Sequence, residues 1–143
     1  MGDPYNLERF VAQQVDIFDH ALAELRAGEK RSHWMWFIFP QLRGLGHSPA
    51  AHFYGISSLD EARAYLDHPM LGANLRQSVE AILPWWTDRT AEGIFGAVDA
   101  MKLRSSLTLF DQVESNSIFA QALTAFFRGE PDERTLALLN GQA

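Results

Sequence analysis

DAMKLRSSLTLFD, residues 99–111, is the stretch of this chain that decides its fold class. Its apolar residues recur at helical spacing, and the flanking sequence extends the predicted helix over residues 97–113. On a helical wheel, one arc holds the residues that we expect to face solvent: Ala100, Arg104, Thr108 and Asp111. Asp99, Lys102 and Ser106 fall among apolar residues instead. The helix is therefore predicted to direct a carboxylate, an amine and a hydroxyl towards the protein interior.

Asp99 and Lys102 lie three residues apart, so their side chains can form an ion pair on one face of this helix. Charges are rarely buried unless they are paired, because removing an ion from water is costly. A pair kept at that cost is either a structural tie between neighbouring segments or part of a functional site, where charges also tune pKa values. The sequence leaves both interpretations open.

Helical patterns also occupy most of the remaining chain. Asn6 and Asp16 are candidate N-caps of two short helices, the second of which ends at Gly28. Ser58 and Glu61 have the spacing of a capping box, and Glu61 is otherwise interpreted as a helix-terminal charge. Four further helices are predicted, and they start near Ala50, at Pro69 (running towards Pro84), at Ser117 (ending near Gly129) and at Pro131 (running through Leu139).

Residues 34–39 are the one plausible β-strand, but a lone strand would have no partner to pair with. The prediction is therefore an all-α protein of seven or eight short helices that forms a single domain over residues 1–143. The chain length of 143 residues and the hydrophobic content of 47% both fit one globular domain.

Composition excludes several classes of protein. The chain has no cysteine, which excludes disulfides, thiolate catalysis and cysteine-ligated zinc. A formal net charge of −6 disfavours sequence-independent binding to nucleic acid. The longest apolar run is too short to span a bilayer, and the N-terminus lacks the pattern of a signal peptide. We therefore expect a cytoplasmic protein with no nucleic-acid or membrane partner.

HWMWFIFPQLR, residues 33–43, concentrates aromatic side chains next to polar groups. Trp34 and Trp36 are expected to form either core or the apolar wall of a ligand pocket. His33 and Gln41 carry hydrogen-bonding groups beside that cluster, and histidine suits acid–base chemistry because it titrates near neutrality.

A glycine-punctuated loop follows, with Arg43, Gly44, Gly46 and His47. Its backbone N–H groups and basic side chains can converge on an anion at the start of the next helix. The alternative is a tight turn in which Ser48 is the N-cap of that helix. The five histidines show no ligand-pair spacing, so neither a metal site nor a cofactor is predicted.

Long motifs carry a family resemblance over nearly the whole chain. They are residues 32–41, Glu61-Ala62 with Ala64-Tyr65-Leu66, His68-Pro69 with Leu71-Gly72, and residues 99–110 with Asp99 and Lys102-Leu103. They resemble the bacterial family catalogued as domain of unknown function 1810, which implies an all-α single domain and no established activity. The segment from Lys102 to Phe110 is more weakly similar to helical NAD- and ADP-ribose-associated enzymes that cleave N-glycosidic bonds. The glutamate-containing helix motif of those enzymes has no counterpart beside residues 33–36.

These features suggest a protein that binds or hydrolyses a phosphorylated, nucleotide-like molecule such as ADP-ribose. Asp99 would act as general acid or base, or stabilise positive charge on a sugar if the bond is N-glycosidic. Lys102 would orient Asp99 or stabilise negative charge, and His33 would complete the catalytic set. The ligand would be held by Trp34, Trp36, Gln41, Arg43, Gly44, Gly46, His47, Ser105 and Ser106.

Two alternatives remain. In the first, the chain is a non-catalytic helical module that binds a protein partner through an apolar groove. In the second, the inward charges only hold the fold together. The first alternative predicts a contiguous exposed hydrophobic patch and no concave polar pocket.

Overall fold

Helix α7 (Ala97–Val113) is the central element of the computed structural model, which describes residues 2–141. The described residues form nine α-helices rather than seven or eight, and no strand; Met1, Gln142 and Ala143 of the predicted domain lie outside them. The other helices are α1 (Glu8–Arg26), α2 (Met35–Ile38), α3 (Pro49–Phe53), α4 (Leu59–Asp67), α5 (Pro69–Ile82), α6 (Ala91–Phe95), α8 (Ile118–Phe127) and α9 (Glu133–Leu139). A 3₁₀ turn (Leu83–Thr87) follows α5. The all-α prediction is confirmed.

The prediction that one arc of α7 faces solvent is wrong. Ala100 and Thr108 are buried, because α7 packs against α4, α6, α8 and α9 and so has no fully free face beyond its first turn. Thr108 is accommodated because its hydroxyl donates to the Arg104 carbonyl and accepts from the Asp132 N–H. Asp111 is partly buried, and this desolvation raises the pKa of its carboxyl.

The N-terminal region forms one helix, α1, where the sequence predicts two. Asp16 lies in the middle of α1 on its exposed side and caps nothing. Asp3 has the capping role instead, because its carboxylate accepts from the N–H groups of Leu7 and Glu8 at 2.7 and 2.8 Å. Gly28 ends the helix as predicted, with a φ of +73° that favours glycine.

The later helices begin where their sequence signals predict. Ser58, Ser48 and Ser117 each accept a hydrogen bond from the first turn of a helix, and Asp132 does so one residue after Pro131. Residues 34–39 form no strand, in agreement with the all-α prediction. They form α2 and its flanks, because no second strand is present among the described residues to pair with them.

The aromatic run contributes to the core. Trp34, Ile38 and Phe39 are fully buried, together with a larger set on the long helices that includes Phe10, Tyr65, Phe110 and Phe119. Glu61 lies in the first turn of α4, as predicted, but its carboxylate is buried and lies 2.7 Å from the Arg9 guanidinium. No helix within residues 2–141 combines the length and apolar content that crossing a membrane requires.

Candidate ligand-binding site

The first turns of α7 meet the aromatic run in what we name the lysine–tryptophan cluster, made of Lys30, Trp36, Asp99 and Lys102. One Asp99 oxygen lies 3.6 Å from the Lys102 ammonium, and the other lies 2.9 Å from that of Lys30. The Lys102 ammonium also lies 3.9 Å from the centre of the Trp36 ring, within the range of a cation–π interaction. The two segments singled out from the sequence therefore lie against each other.

Lys30 is the member of this cluster that the sequence did not predict. Its side chain is 7% exposed, and its ammonium also donates to the Ser32 carbonyl and lies 4.9 Å from the centre of the Trp34 ring. No local pattern marks Lys30, because its partner Asp99 is far away in the sequence. The Lys30–Asp99 pair ties the loop after α1 to α7, whereas Lys102, 24% exposed, is the more accessible cation.

A second carboxylate, Glu24, anchors the base of this region. It accepts hydrogen bonds from the Trp34 indole, the Arg31 and Ser32 N–H groups and the Ser32 hydroxyl, at 2.6–3.1 Å. Burial alone would raise the pKa of this carboxyl, but the hydrogen bonds outweigh burial and lower its pKa to about 2. Glu24 therefore stays ionised and fixes the position of Trp34.

The His20 ring lies 2.9 Å from both the Ser32 hydroxyl and the Glu24 carboxylate, through the same nitrogen, Nε2. A nucleophile–base–acid triad needs the acid on the other ring nitrogen. The arrangement is therefore a hydrogen-bonded support and not a hydrolytic site.

Ser105 and Ser106, on the same helix as Asp99 and Lys102, differ in their hydrogen bonding. The Ser105 hydroxyl donates to the Met101 carbonyl, one turn earlier. The Ser106 hydroxyl is fully buried and has no hydrogen-bond partner within residues 2–141, and the same holds for the side-chain oxygen of Gln41. Ser106 lies one turn beyond Lys102 on the same face of α7, and it is more deeply buried than the charged residues of the cluster.

The glycine-punctuated loop is organised by fold contacts. Arg43 donates to the carbonyls of His52 and Gly55, at 3.0 and 3.1 Å. Ser48 accepts from the Ala51 N–H as the N-cap of α3, as in the tight-turn alternative. A Cβ on Gly44 would contact the Leu138 side chain, and one on Gly46 would lie 2.9 Å from that of Ala51.

His33 and His47 are exposed. Neither ring takes part in the salt bridges or side-chain hydrogen bonds of the lysine–tryptophan cluster. Among residues 2–141, no three histidine, aspartate or glutamate side chains are grouped as metal ligands would be.

A groove of about 890 Å³ lies apart from the cluster, between α8 and the 3₁₀ turn, and we name it the α8 groove. It is lined by Glu80, Leu83, Pro84, Trp86, Asn116, Ser117, Ala120, Gln121, Thr124 and Ala125. None of the site residues predicted from the sequence is among them. A smaller concave surface of about 290 Å³ is lined in part by Arg43, Ser57 and Leu138.

Comparison with known proteins places the chain in a family. No curated protein matches it. It is similar to the conserved hypothetical protein Rv1873 from Mycobacterium tuberculosis, for which a crystal structure is known. The two chains share 49% sequence identity and superpose with a TM-score of 0.93, and the match covers 96% of this chain and 99% of the other. The model of the family described as "Protein of unknown function (DUF1810)" matches residues 4–139. The chain therefore belongs to this family of unknown function.

Proposed function

We propose that the chain binds a small anionic ligand that carries a planar ring, of the phosphorylated, nucleotide-like class, at the lysine–tryptophan cluster. The observation that supports this most is the sharing of one carboxylate, Asp99, by two ammonium groups beside a partly exposed indole. The cluster combines a cationic group with an aromatic surface, and a phosphorylated nucleotide-like molecule combines a negative charge with a ring.

The charge balance of the cluster favours an anion. Lys30 and Lys102 each carry one positive charge and Asp99 carries one negative charge, so one positive charge is left over. Lys30 is buried and engaged by Asp99, Ser32 and Trp34, which leaves Lys102 as the group that can bind a ligand. Glu24 belongs to a separate network, because its oxygens accept from residues 31 and 32 and the Trp34 indole, and it forms no salt bridge with Lys30 or Lys102.

The same geometry favours binding over cleavage of an N-glycosidic bond. Both Asp99 oxygens already face ammonium groups, at 2.9 and 3.6 Å. Asp99 would therefore have to lose a lysine partner before it could stabilise positive charge on a sugar or exchange a proton with a substrate. We expect incubation with ADP-ribose or NAD to leave both molecules intact, as measured by liquid chromatography.

Calorimetric titration with AMP tests the phosphate part of the proposal. Lys102→Met is expected to weaken AMP binding by at least about tenfold, because a hydrogen bond to a charged group contributes roughly 1.5–3 kcal/mol. Arg63→Met, which removes an exposed cation from α4, is the matched control and should leave the affinity unchanged. The proposal is wrong if the wild type does not bind AMP, or if Lys102→Met binds it as well as the wild type does.

Comparison of AMP with ribose 5-phosphate tests the ring part. The wild type should bind AMP more tightly, by about 1–3 kcal/mol if the base stacks on Trp36. Trp36→Leu should abolish this difference without weakening the binding of ribose 5-phosphate. Equal affinities of the wild type for the two ligands would show that the indole does not contribute a stacking surface.

A further inference from the structure

We propose that the α8 groove is a docking surface for a basic amphipathic helix of a partner protein. The groove is an open concavity of about 890 Å³ in which apolar and small polar side chains predominate. Amphipathic helices bind such surfaces by laying their apolar face into the groove. None of the residues of the lysine–tryptophan cluster lines it, so this proposal is independent of the proposed ligand site.

Trp86 provides the apolar anchor of this surface. It is 61% exposed, whereas its neighbour Trp85 packs against the core. The 3₁₀ turn holds Trp86 at the groove, because the N–H groups of Asp88 and Arg89 both bond to the Trp85 carbonyl. An exposed tryptophan that lines a concave surface is of the residue type that contributes most to the affinity of many interfaces.

The other wall has the periodicity of a helix face. Residues 117, 120, 121, 124 and 125 of α8 and its N-cap line the groove, and they recur at intervals of three and four. The opposite face of α8 carries Phe119, Ala122 and Leu123, which are buried in the core. A helix laid along the exposed face of α8 would contact Trp86 on its other side.

The charge of the groove determines which partner fits. Glu80 is the one charged residue among its ten lining residues, and the whole chain has a net charge of −6. A helix that carries lysine or arginine beside its apolar face can pair with Glu80, whereas an acidic helix would be repelled by both. A second copy of this chain is less suitable, because a symmetric contact brings its own Glu80 to the same surface.

The test is selection of helix-forming peptides from a displayed library with a randomised polar face, using the full chain as bait. Enriched peptides are expected to carry lysine or arginine, and to bind Trp86→Ala at least about tenfold more weakly than wild type. Glu80→Gln should weaken them by about twofold to fivefold. Val15→Ala and Asp19→Asn, which change an exposed apolar residue and an exposed acid on α1, are the matched controls and should not alter binding.

Three results would overturn the proposal. They are the absence of any peptide that prefers the wild type over Trp86→Ala, enrichment of acidic peptides, and equal loss of binding in the control variants. Sedimentation equilibrium tests the other possible occupant of the groove, a second copy of this chain. A dimer that Trp86→Ala dissociates would assign the groove to that copy and would also overturn the proposal. Failure of the proposed anion site changes none of these outcomes, because Lys102→Met leaves the groove intact.

Discussion

Glu24 is a single carboxylate whose hydrogen-bond donors come mainly from residues 31, 32 and 34. Its environment stabilises the charged form, since the hydrogen bonds more than compensate for burial and lower its pKa from the ordinary 4.5 to about 2. The charged Glu24 thereby holds the segment that carries Lys30, which belongs to the lysine–tryptophan cluster, and Trp34, whose ring lies beside the Lys30 ammonium.

This lowered pKa predicts how stability depends on pH. Above about pH 4.5, Glu24 is ionised in both the folded and the unfolded chain, and its contribution to the free energy of unfolding is complete. Below that value the unfolded chain takes up the proton first, so about 3 kcal/mol is lost as the pH falls towards 2. Urea denaturation at several pH values measures this loss. Glu24→Gln should lack this part of the pH dependence, whereas Asp19→Asn should retain it, and equal profiles for wild type and Glu24→Gln would contradict the prediction.

Pairing of residues could be predicted only where the two partners are close in sequence. Asp99 and Lys102 share a helix, so helix geometry alone places them within reach of each other. The partners Lys30–Asp99 and Arg9–Glu61 belong to different segments, and no local pattern connects them. For the same reason the sequence placed Glu61 correctly at a helix end but did not predict its burial beside Arg9.

At the scale of the elements, Gly72 sets how closely α5 approaches α4. A Cβ at this position would lie 2.1 Å from the carbonyl oxygen of Leu66, which is a backbone atom that cannot rotate away. We expect Gly72→Ala to lower the free energy of unfolding by about 3 kcal/mol, at the upper end of the usual cost of overpacking.

Gly93→Ala in α6 is the control for this prediction. Its added Cβ meets only the hydroxyl of Thr90, at 3.2 Å, and alanine favours the helix by roughly 0.5–1 kcal/mol. Chemical denaturation should therefore find Gly93→Ala within about 1 kcal/mol of the wild type. Equal stabilities of the two glycine variants would rule out the close approach of α4 and α5.

The ends of the helices were more predictable than their faces. Ser58, Ser117 and Gly28 act on the backbone of their own turn, so their effect can be inferred from a few neighbouring residues. Which face of α7 is exposed to solvent could not be inferred, since other helices pack around α7 and its small polar residues Ser105 and Thr108 bond to its own carbonyls.

At the scale of the whole molecule, Arg9 connects segments that are distant in sequence. Its five N–H groups reach the carbonyls of Tyr5, Asn6, Phe53 and Gly55 and the carboxylate of Glu61. The N-terminal turn, the end of α3 and the start of α4 are thereby joined by one buried guanidinium.

Arg9→Met is expected to lower the free energy of unfolding by about 3–5 kcal/mol, because it leaves the Glu61 carboxylate buried without its cation. Urea denaturation at pH 7 measures this change. Arg31→Met removes the cation of the exposed Arg31–Glu29 pair and should leave the free energy of unfolding nearly unchanged. Similar losses for the two variants would mean that the Arg9–Glu61 pair does not tie the fold together.

By itself, the sequence determined that this chain is all-helical and that Asp99 and Lys102 share one face of α7, because capping, helical periodicity and i, i+3 spacing act over a few neighbouring residues. Only the tertiary structure decided that Lys30 shares Asp99, that Arg43 bonds to backbone carbonyls, and that Trp86 lines the α8 groove. Each of these depends on how segments far apart in the chain pack together, and packing is set by shape and burial across the whole molecule.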